Sequence, residues 1–232
     1  MSLADFAGGV HLVVAILAAI VERDRTGVGQ DVRVSLLDST MSMLTNYSVA
    51  VADGDAELTP MGSGHPQLAP FEAVRTKDGH VVIAPGTNRL FVDLCRLLGR
   101  DDLTTDPRFA DNPSRVEHRA ALLAELDPHF AARTTAEWLD LLERDGIPCA
   151  PVNTMRQAFA QPQLVANGTL RTVQHPAVGA LTQLGAPYRI GGEVPPIRCP
   201  PPMLGEHTNE VLTSLLGLSA EELDKLRADK VI

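Results

Sequence analysis

The stretch Asp5-Phe-Ala-Gly-Gly-Val-His-Leu-Val-Val-Ala-Ile-Leu-Ala-Ala-Ile-Val21 decides the fold of this chain, because it places an acidic residue ahead of an almost unbroken apolar run. Glu22-Arg-Asp-Arg25 and then Gly27 end the run. The pattern predicts a helix over residues 7–21 with Asp5 as its N-cap, since a carboxylate there accepts a hydrogen bond from an unpaired backbone N–H. The helix dipole favours a negative charge at this end. From these residues alone, Asp5 is either only a cap or a nucleophile or base.

An apolar run near the N-terminus also has to be distinguished from a signal peptide or a membrane span. We interpret the run as too short for a span. A signal peptide begins with a basic segment, whereas the only charge ahead of this run is Asp5, and His11 interrupts its apolar face. We therefore expect a cytoplasmic protein with no membrane partner.

Composition excludes several further classes of function. The 232 residues carry a net charge of −9, which argues against a general nucleic-acid surface or an anionic membrane partner. The three cysteines, Cys95, Cys149 and Cys199, are widely spaced and form no Cys-x-x-Cys pair. This usage is typical of reduced thiols in the cytoplasm, and we expect neither disulfides nor a metal site.

The rest of the chain alternates short strands with helices. Alternating apolar residues predict strands at 30–35, 71–75, 80–84, 169–173 and 180–184, and the turn Lys77-Asp-Gly79 joins the second and third as a hairpin. Helical periodicity predicts helices at 36–51, 88–98, 115–126, 135–144, 206–216 and 219–228. Trp138 is expected in the core. We interpret residues 147–152 as a crossing between domains and residues 193–202 as a proline-rich linker.

One loop has the composition of a ligand-binding turn. Gly62, Ser63, Gly64 and His65 lie between two prolines, and the glycines allow the backbone to approach a ligand closely. The same four residues also fit a simple turn without a ligand. Their composition does not decide between the two.

Eleven motifs along nearly the whole chain resemble family III CoA-transferases, the CaiB/BaiF family, which includes formyl-CoA and carnitine-CoA transferases. In chain order they are Ala4-Asp-Phe-Ala-Gly-Gly9, Arg25-Thr-Gly-Val-Gly-Gln30, Val34-Ser-Leu-Leu-Asp38, Gly64-His-Pro66 with Pro70-Phe71, Thr76-Lys-Asp-Gly79, Leu94-Cys95 with Leu98-Gly99, Asp106-Pro-Arg-Phe109 with Asn112, Ile147-Pro-Cys-Ala-Pro-Val152, His175-Pro176, Pro201-Pro-Met-Leu-Gly-Glu-His-Thr208 and Glu210-Val-Leu212. Each motif is weak alone, and their common order carries the resemblance.

The resemblance implies a site and a reaction. The family's catalytic aspartate directly precedes this helix, and Asp5 falls on it. It would act as a nucleophile that forms an aspartyl–acyl anhydride and then an aspartyl-CoA thioester. Gly62, Ser63, Gly64 and His65 would form the family's active-site loop, which shields these intermediates from water. The implied substrates are acyl-CoA and carboxylic acids, with no permanently bound cofactor and no metal. CoA-binding residues are not identified.

Two alternatives stay open beside the transferase. Leu3-Ala-Asp-Phe-Ala is also similar to the motif of α-methylacyl-CoA racemase, in which the aspartate moves a proton. Racemases are expected to carry a glutamate where this chain has Asn88. The third hypothesis is a non-catalytic fragment or pairing module, because family members have a long region ahead of the catalytic aspartate and form interlocked dimers.

The resemblance implies an α/β protein made of part of a Rossmann-like large domain and a smaller α+β domain. We expect residues 1–54 to belong to the large domain, residues 55–150 to form the small domain, and residues 151–232 to return to the large domain. A homodimer is the expected assembly.

Overall fold

The computed structural model describes residues 2–54 and 59–232. The chain forms two compact units, residues 1–66 and residues 67–232. Both helices and small sheets are present, which confirms the mixed α/β class. The predicted boundary between residues 54 and 55 lies at the edge of the described residues, and the division into three parts stays a prediction.

The first unit contains three helices and no strand in its described part. Its helices are α1 (Leu3–Thr26), α2 (Leu36–Ser42) and α3 (Thr45–Ala52). Gly27 ends α1 in the left-handed conformation, with φ of 76°, and donates its N–H to the carbonyl of Arg23. Positive φ strains residues with a Cβ, so glycine is the residue that suits this position.

Three predictions for the first unit are wrong. The N-cap position of α1 is Ser2, so Asp5 lies within the first turn and not ahead of it. Residues 30–35 form no strand, because no other strand in the described chain pairs with them. The predicted helix over 36–51 breaks at Met43 and Leu44, and Ser35 caps its first half by accepting the Asp38 N–H.

The length of α1 also corrects the interpretation that the apolar run is too short to span a membrane. With 24 residues it is long and apolar enough to cross a membrane, although core helices and signal sequences pass the same test. The apolar run is therefore not too short for a span, because the structure extends the helix at both ends. The packing of α1, and not its length, therefore has to distinguish a membrane span from a helix covered by protein.

The second unit contains two antiparallel sheets. Strands β1 (Glu72–Arg75) and β2 (His80–Ile83) form the predicted hairpin, with Arg75 opposite His80. Strand β3 (Cys149–Pro151) adds to the other edge of β2, so residues 147–152 are not a free crossing between domains. Strands β4 (Leu170–His175) and β5 (Gly179–Leu184) form the second sheet, as predicted.

Helices pack against the first sheet and enclose the main core. They are α4 (Asn88–Leu98), α5 (Asn112–Glu117), α6 (Arg119–Ala131) and α7 (Thr135–Arg144), with a 3-10 turn at Asp101–Thr104. The predicted helix over 115–126 is interrupted at His118. Trp138 is 3% exposed and donates its ring N–H to the carbonyl of Phe130, which confirms its place in the core.

The C-terminal part of the chain contains four short helices. These are α8 (Met155–Phe159), α9 (Pro162–Ala166), α10 (Thr208–Leu216) and α11 (Ala220–Ala228). Ser219 and Glu222 form a capping box at the start of α11. Residues 194–202 contain neither helix nor strand, in agreement with the predicted linker.

The carboxylate of Asp78 connects the hairpin to α7. It accepts the backbone N–H of Thr135 at 2.7 Å and the Thr135 hydroxyl at 3.0 Å. The backbone bond and then the hydroxyl bond lower the pKa of Asp78. A lowered folded-state pKa stabilises the fold above the unfolded value of about 3.9, and the contribution is lost as pH falls through the folded value.

We expect Asp78→Asn to lower the melting temperature at neutral pH and to reduce the further drop on acidification. The amide keeps one acceptor oxygen but has no charge to lose, so less stability depends on pH. Thermal melts from about pH 7 to about pH 3 measure this difference. Asp140→Asn, on an exposed position of α7, is the control. An acid-induced drop in Asp78→Asn equal to that of the unmodified chain would contradict the prediction.

The three thiols differ in burial. Cys95 is buried in the core, Cys149 is half-buried and Cys199 is exposed. Burial raises the pKa of Cys95 to about 12. Because the thiolate is the reactive form, we expect iodoacetamide at about pH 8 to alkylate Cys95 at least about a thousandfold more slowly than Cys199. Mass spectrometry of timed digests measures the rates. Equal rates in the folded chain would contradict the prediction, and unfolding in urea should equalise them.

Candidate active site

The first turn of α1 carries the predicted nucleophile. Asp5 is the third residue of the helix and is exposed. Ser2 makes no side-chain cap, and its carbonyl accepts the Phe6 N–H at 3.1 Å. Within residues 2–54 and 59–232, no hydrogen bond or ion pair is made to the Asp5 carboxylate. The carboxylate therefore stands at the positive end of a long helix with its oxygens accessible to a ligand.

The small residues behind Asp5 allow α1 to approach α2 closely. Ala7 and Gly8 are buried, and a Cβ added to Gly8 would collide with Leu36 at the start of α2. One turn later, His11 bonds the carbonyl of Ala7 through Nδ1 at 2.8 Å. Its Nε2 lies 3.4 Å from the hydroxyl of Ser42. These contacts hold the first two turns of α1 in place, and Asp5 lies in the first of these turns.

The outer face of α1 is apolar and exposed in this chain. The most exposed apolar side chains of α1, between 57% and 69% accessible, are Phe6, Val10, Val13, Val14, Leu17 and Val21. A contiguous apolar face of this length is typical of a surface that another part of a protein covers. A cleft of about 390 Å³ lies towards the other end of α1, lined in part by Ile16, Ile20 and Arg23.

The predicted active-site loop forms a tight turn. Gly62 has a φ of 64°, which strains any residue with a Cβ, and Gly64 donates its N–H to the carbonyl of Met61 at 3.1 Å. Ser63 is exposed, while Gly64 and His65 are half-buried. The structure thus brings the four loop residues together in one turn. Asp5 belongs to the same unit, and no hydrogen bond joins its side chain to any of the four in the described part of the chain.

Three side chains that bind the backbone directly after the loop were not predicted from the sequence. Asn112, Arg115 and Arg119, on α5 and α6, bond the backbone of residues 67–69. Arg115 is only 1% exposed. A sequence signal existed, because Arg115 and Arg119 lie seven residues ahead of the buried Leu122 and Leu126, on the apolar face of the helical pattern.

The described residues give no sign of a metal centre. In the parts of the chain that the structure describes, no group of three or more His, Cys, Asp or Glu side chains is arranged to hold an ion. An exposed carboxylate at a helix N-terminus is suited instead to nucleophilic or acid–base chemistry.

The sequence model of CoA-transferase family III matches residues 1–208. The chain therefore belongs to the family III CoA-transferases. The match begins ahead of Asp5 and includes both the loop and the three side chains on α5 and α6.

Its relatives include several transferases of known name. The chain is 38% identical to an acyl-CoA transferase of Fusarium pseudograminearum, over all of this chain and 51% of that protein. It is 33% identical to the succinyl-CoA:glutarate CoA-transferase of Mus musculus, over all of this chain and 53% of that protein. An acetyl-CoA:oxalate CoA-transferase of Acetobacter aceti is 32% identical over 82% of this chain and 48% of its own length.

Solved structures agree with the sequence relatives. Rv3272 of M. tuberculosis superimposes with a TM-score of 0.76 and 31% identity, over 89% of this chain and 54% of that one. A CaiB/BaiF family protein from Brucella suis gives a TM-score of 0.76 and 32% identity, over 93% and 56% of the two chains. The chain spans about half the length of the relatives it matches.

Proposed function

We propose that this chain carries the nucleophile of an enzyme that moves CoA between carboxylic acids, and that the nucleophile is Asp5. The observation that carries the proposal is the exposed carboxylate in the first turn of α1, within a motif typical of the family. A helix N-terminus stabilises negative charge on the carboxylate and on the oxyanion that forms when a carbonyl is attacked.

The reaction proceeds in four balanced steps. The Asp5 carboxylate attacks the donor thioester, which releases CoA thiolate and leaves a mixed anhydride. The thiolate attacks the aspartyl carbonyl of the anhydride, which releases the donor acid and leaves an aspartyl-CoA thioester. The acceptor carboxylate attacks this thioester and regenerates an anhydride and CoA thiolate. The thiolate then attacks the acceptor carbonyl, which yields the new acyl-CoA and free Asp5. No proton or redox equivalent is consumed.

The loop of Gly62, Ser63, Gly64 and His65 protects the two acylated states from water. Anhydrides and thioesters hydrolyse irreversibly, so a transferase has to exclude water between steps. Glycines at both ends of Ser63 let the backbone approach the bound intermediate without a Cβ in the way.

Transfer is favoured over racemisation by the names of the relatives. The mouse and Acetobacter proteins are named as transferases that act on succinyl-CoA with glutarate and on acetyl-CoA with oxalate. Short dicarboxylic acids and their CoA thioesters are therefore the first substrates to test. The enzyme needs no permanently bound cofactor, because each covalent step uses Asp5 and the substrates.

We also propose a cytoplasmic location and a homodimer. The exposed apolar face of α1 supports an assembly in which other protein surface covers this helix. Sedimentation velocity measures the assembly state. A dimer that dissociates when Val13→Glu is introduced is the expected result, and a monodisperse monomer with α1 folded would contradict it.

Covalent trapping tests the nucleophile. The chain is incubated with succinyl-, glutaryl-, acetyl- and oxalyl-CoA in turn, treated with hydroxylamine or borohydride, and its intact mass is measured. A hydroxamate at Asp5, or the alcohol left by borohydride, is expected with at least one donor. Peptide sequencing by tandem mass spectrometry locates it.

Two variants make the result specific. Asp5→Ala should give no adduct, whereas Asp24→Asn, at the exposed end of the same helix, should label like the unmodified chain. If circular dichroism shows the chain to be folded and no donor gives an adduct, the proposal is wrong for this chain. That result would favour the alternative of a pairing module without catalysis of its own.

A further inference from the structure

Side chains of α5 and α6 bind the backbone that directly follows the loop. Asn112 donates from Nδ2 to the carbonyl of Gln67 at 2.7 Å and accepts the N–H of Ala69 on Oδ1 at 3.2 Å. Arg119 donates to the carbonyl of Leu68 at 2.8 Å. Arg115 donates to the carbonyl of Ala69 at 2.8 Å. All three consecutive carbonyls are thus bonded by side chains of α5 and α6.

We propose that Asn112, Arg115 and Arg119 are positioning residues that anchor the end of the active-site loop. We call these three side chains the loop anchor. Only Pro66 separates His65, the last residue of the loop, from Gln67, the first residue that the anchor holds. Because the chain is covalently continuous and proline fixes its own φ, an immobile Gln67 restricts the positions that His65 and Gly64 can reach.

The anchor is itself rigid. The guanidinium of Arg115 also donates to the carbonyl of Phe109 at 3.0 Å and to Oδ1 of Asn88 at 2.8 Å, and it lies 4.4 Å from the ring centre of Phe91. Arg119 is held by an ion pair with Glu72, at 2.7 Å between Nη1 and Oε1. Side chains that are fixed by several partners lose little entropy when they bind the loop's backbone, so they hold it in one geometry.

The functional consequence rests on the proposed transfer reaction. A loop that shields anhydride and thioester intermediates has to close in the same place at every turnover. If its end is released, closure becomes imperfect and water competes with the acceptor acid. Loss of the anchor should therefore raise hydrolysis relative to transfer, rather than only slow the reaction.

Hydrogen exchange tests the anchor in the chain itself, without reference to activity. In Asn112→Ala, which removes two of the four bonds to residues 67–69, we expect the amides of Gly62, Ser63, Gly64 and His65 to exchange about tenfold faster. Asn209→Ala is the matched control, since it removes a side-chain amide in the first turn of α10 that bonds Arg227 in the described part of the chain. The hairpin β1–β2 reports that the fold is intact in both variants.

The outcomes separate the inference from the proposed function. Faster exchange at Ala69 alone, with Gly64 unchanged, would overturn the anchor, because the lost bonds would then act only locally. With an active protein, a rise of about tenfold in the ratio of thioester hydrolysis to CoA transfer supports the shielding role, and an unchanged ratio refutes it. If the unmodified protein transfers no CoA, the proposed function fails, while loop exchange still decides whether the anchor exists.

Discussion

Replacing Asp5 by asparagine is expected to lower the rate of CoA transfer by at least about a thousandfold. The amide has nearly the same size as the carboxylate, but its nitrogen lone pair is delocalised and its oxygen is uncharged, so it does not attack a thioester. Because Asp5 is exposed and has no hydrogen-bond partner in the described chain, the substitution should leave the fold intact. Stability should change by no more than about 0.5 kcal/mol.

Chromatography of the CoA thioesters measures this effect directly. Donor loss and product formation are followed for succinyl-CoA with glutarate and for acetyl-CoA with oxalate. Asp24→Asn, which loses a charge that pairs with Arg23 on the same helix, should keep full activity. An Asp5→Asn enzyme that retains more than about a tenth of the rate would exclude Asp5 as the nucleophile.

Replacing Arg115 by alanine is expected to reduce the free energy of unfolding by about 4 kcal/mol. The substitution leaves the carbonyls of Ala69 and Phe109 without their donor in a buried site, and it also removes a hydrogen bond to the exposed Asn88 side chain. Each buried acceptor that loses its partner costs about 1–3 kcal/mol. Burial lowers the pKa of Arg115, but an arginine in a protein stays protonated at neutral pH.

Urea denaturation followed by circular dichroism measures the loss. Arg89→Ala is the matched control, because the Arg89 side chain is 91% exposed and should change stability by less than about 0.5 kcal/mol. Arg115→Met refills the space beside Phe91 without restoring any donor. It should recover only a minor part of the loss. A cost below about 1 kcal/mol for Arg115→Ala would mean that water replaces the guanidinium at both buried carbonyls.

Elements that depend on local chemistry were predictable from the sequence. The turn Lys77-Asp-Gly79 forms the hairpin, Gly99 ends α4, and Ser219 with Glu222 caps α11. In each case the residues that determine the structure lie within a few positions of one another. The family resemblance identified the protein class, because it depends on the order of motifs along the chain and not on their contacts.

Elements that depend on a distant partner were not predictable. Residues 147–152 were predicted to cross between domains because two prolines interrupt them, and only the pairing of residues 149–151 with β2 makes these a strand. Residues 30–35 have the alternation of a strand but find no partner in the described chain. The apolar face of the helical pattern indicates that Arg115 is buried, but its partners Ala69 and Asn88 lie too far away in sequence to be predicted. The catalytic role of Asp5 stays a prediction until the nucleophile is trapped.

The position of β3 has a consequence for the order of folding. Strands β1 and β2 are joined by a tight turn and can pair as soon as both have been synthesised, within microseconds. Strand β3 reaches β2 only after residues 84–148, which include α4, α5, α6 and α7, have been made. Closing so long a loop is favourable only once the helices have packed and brought its ends together. We therefore expect β3 to be the last strand to join its sheet. In a chain whose synthesis is paused before Cys149, the edge of β2 that later pairs with β3 would still be unpaired.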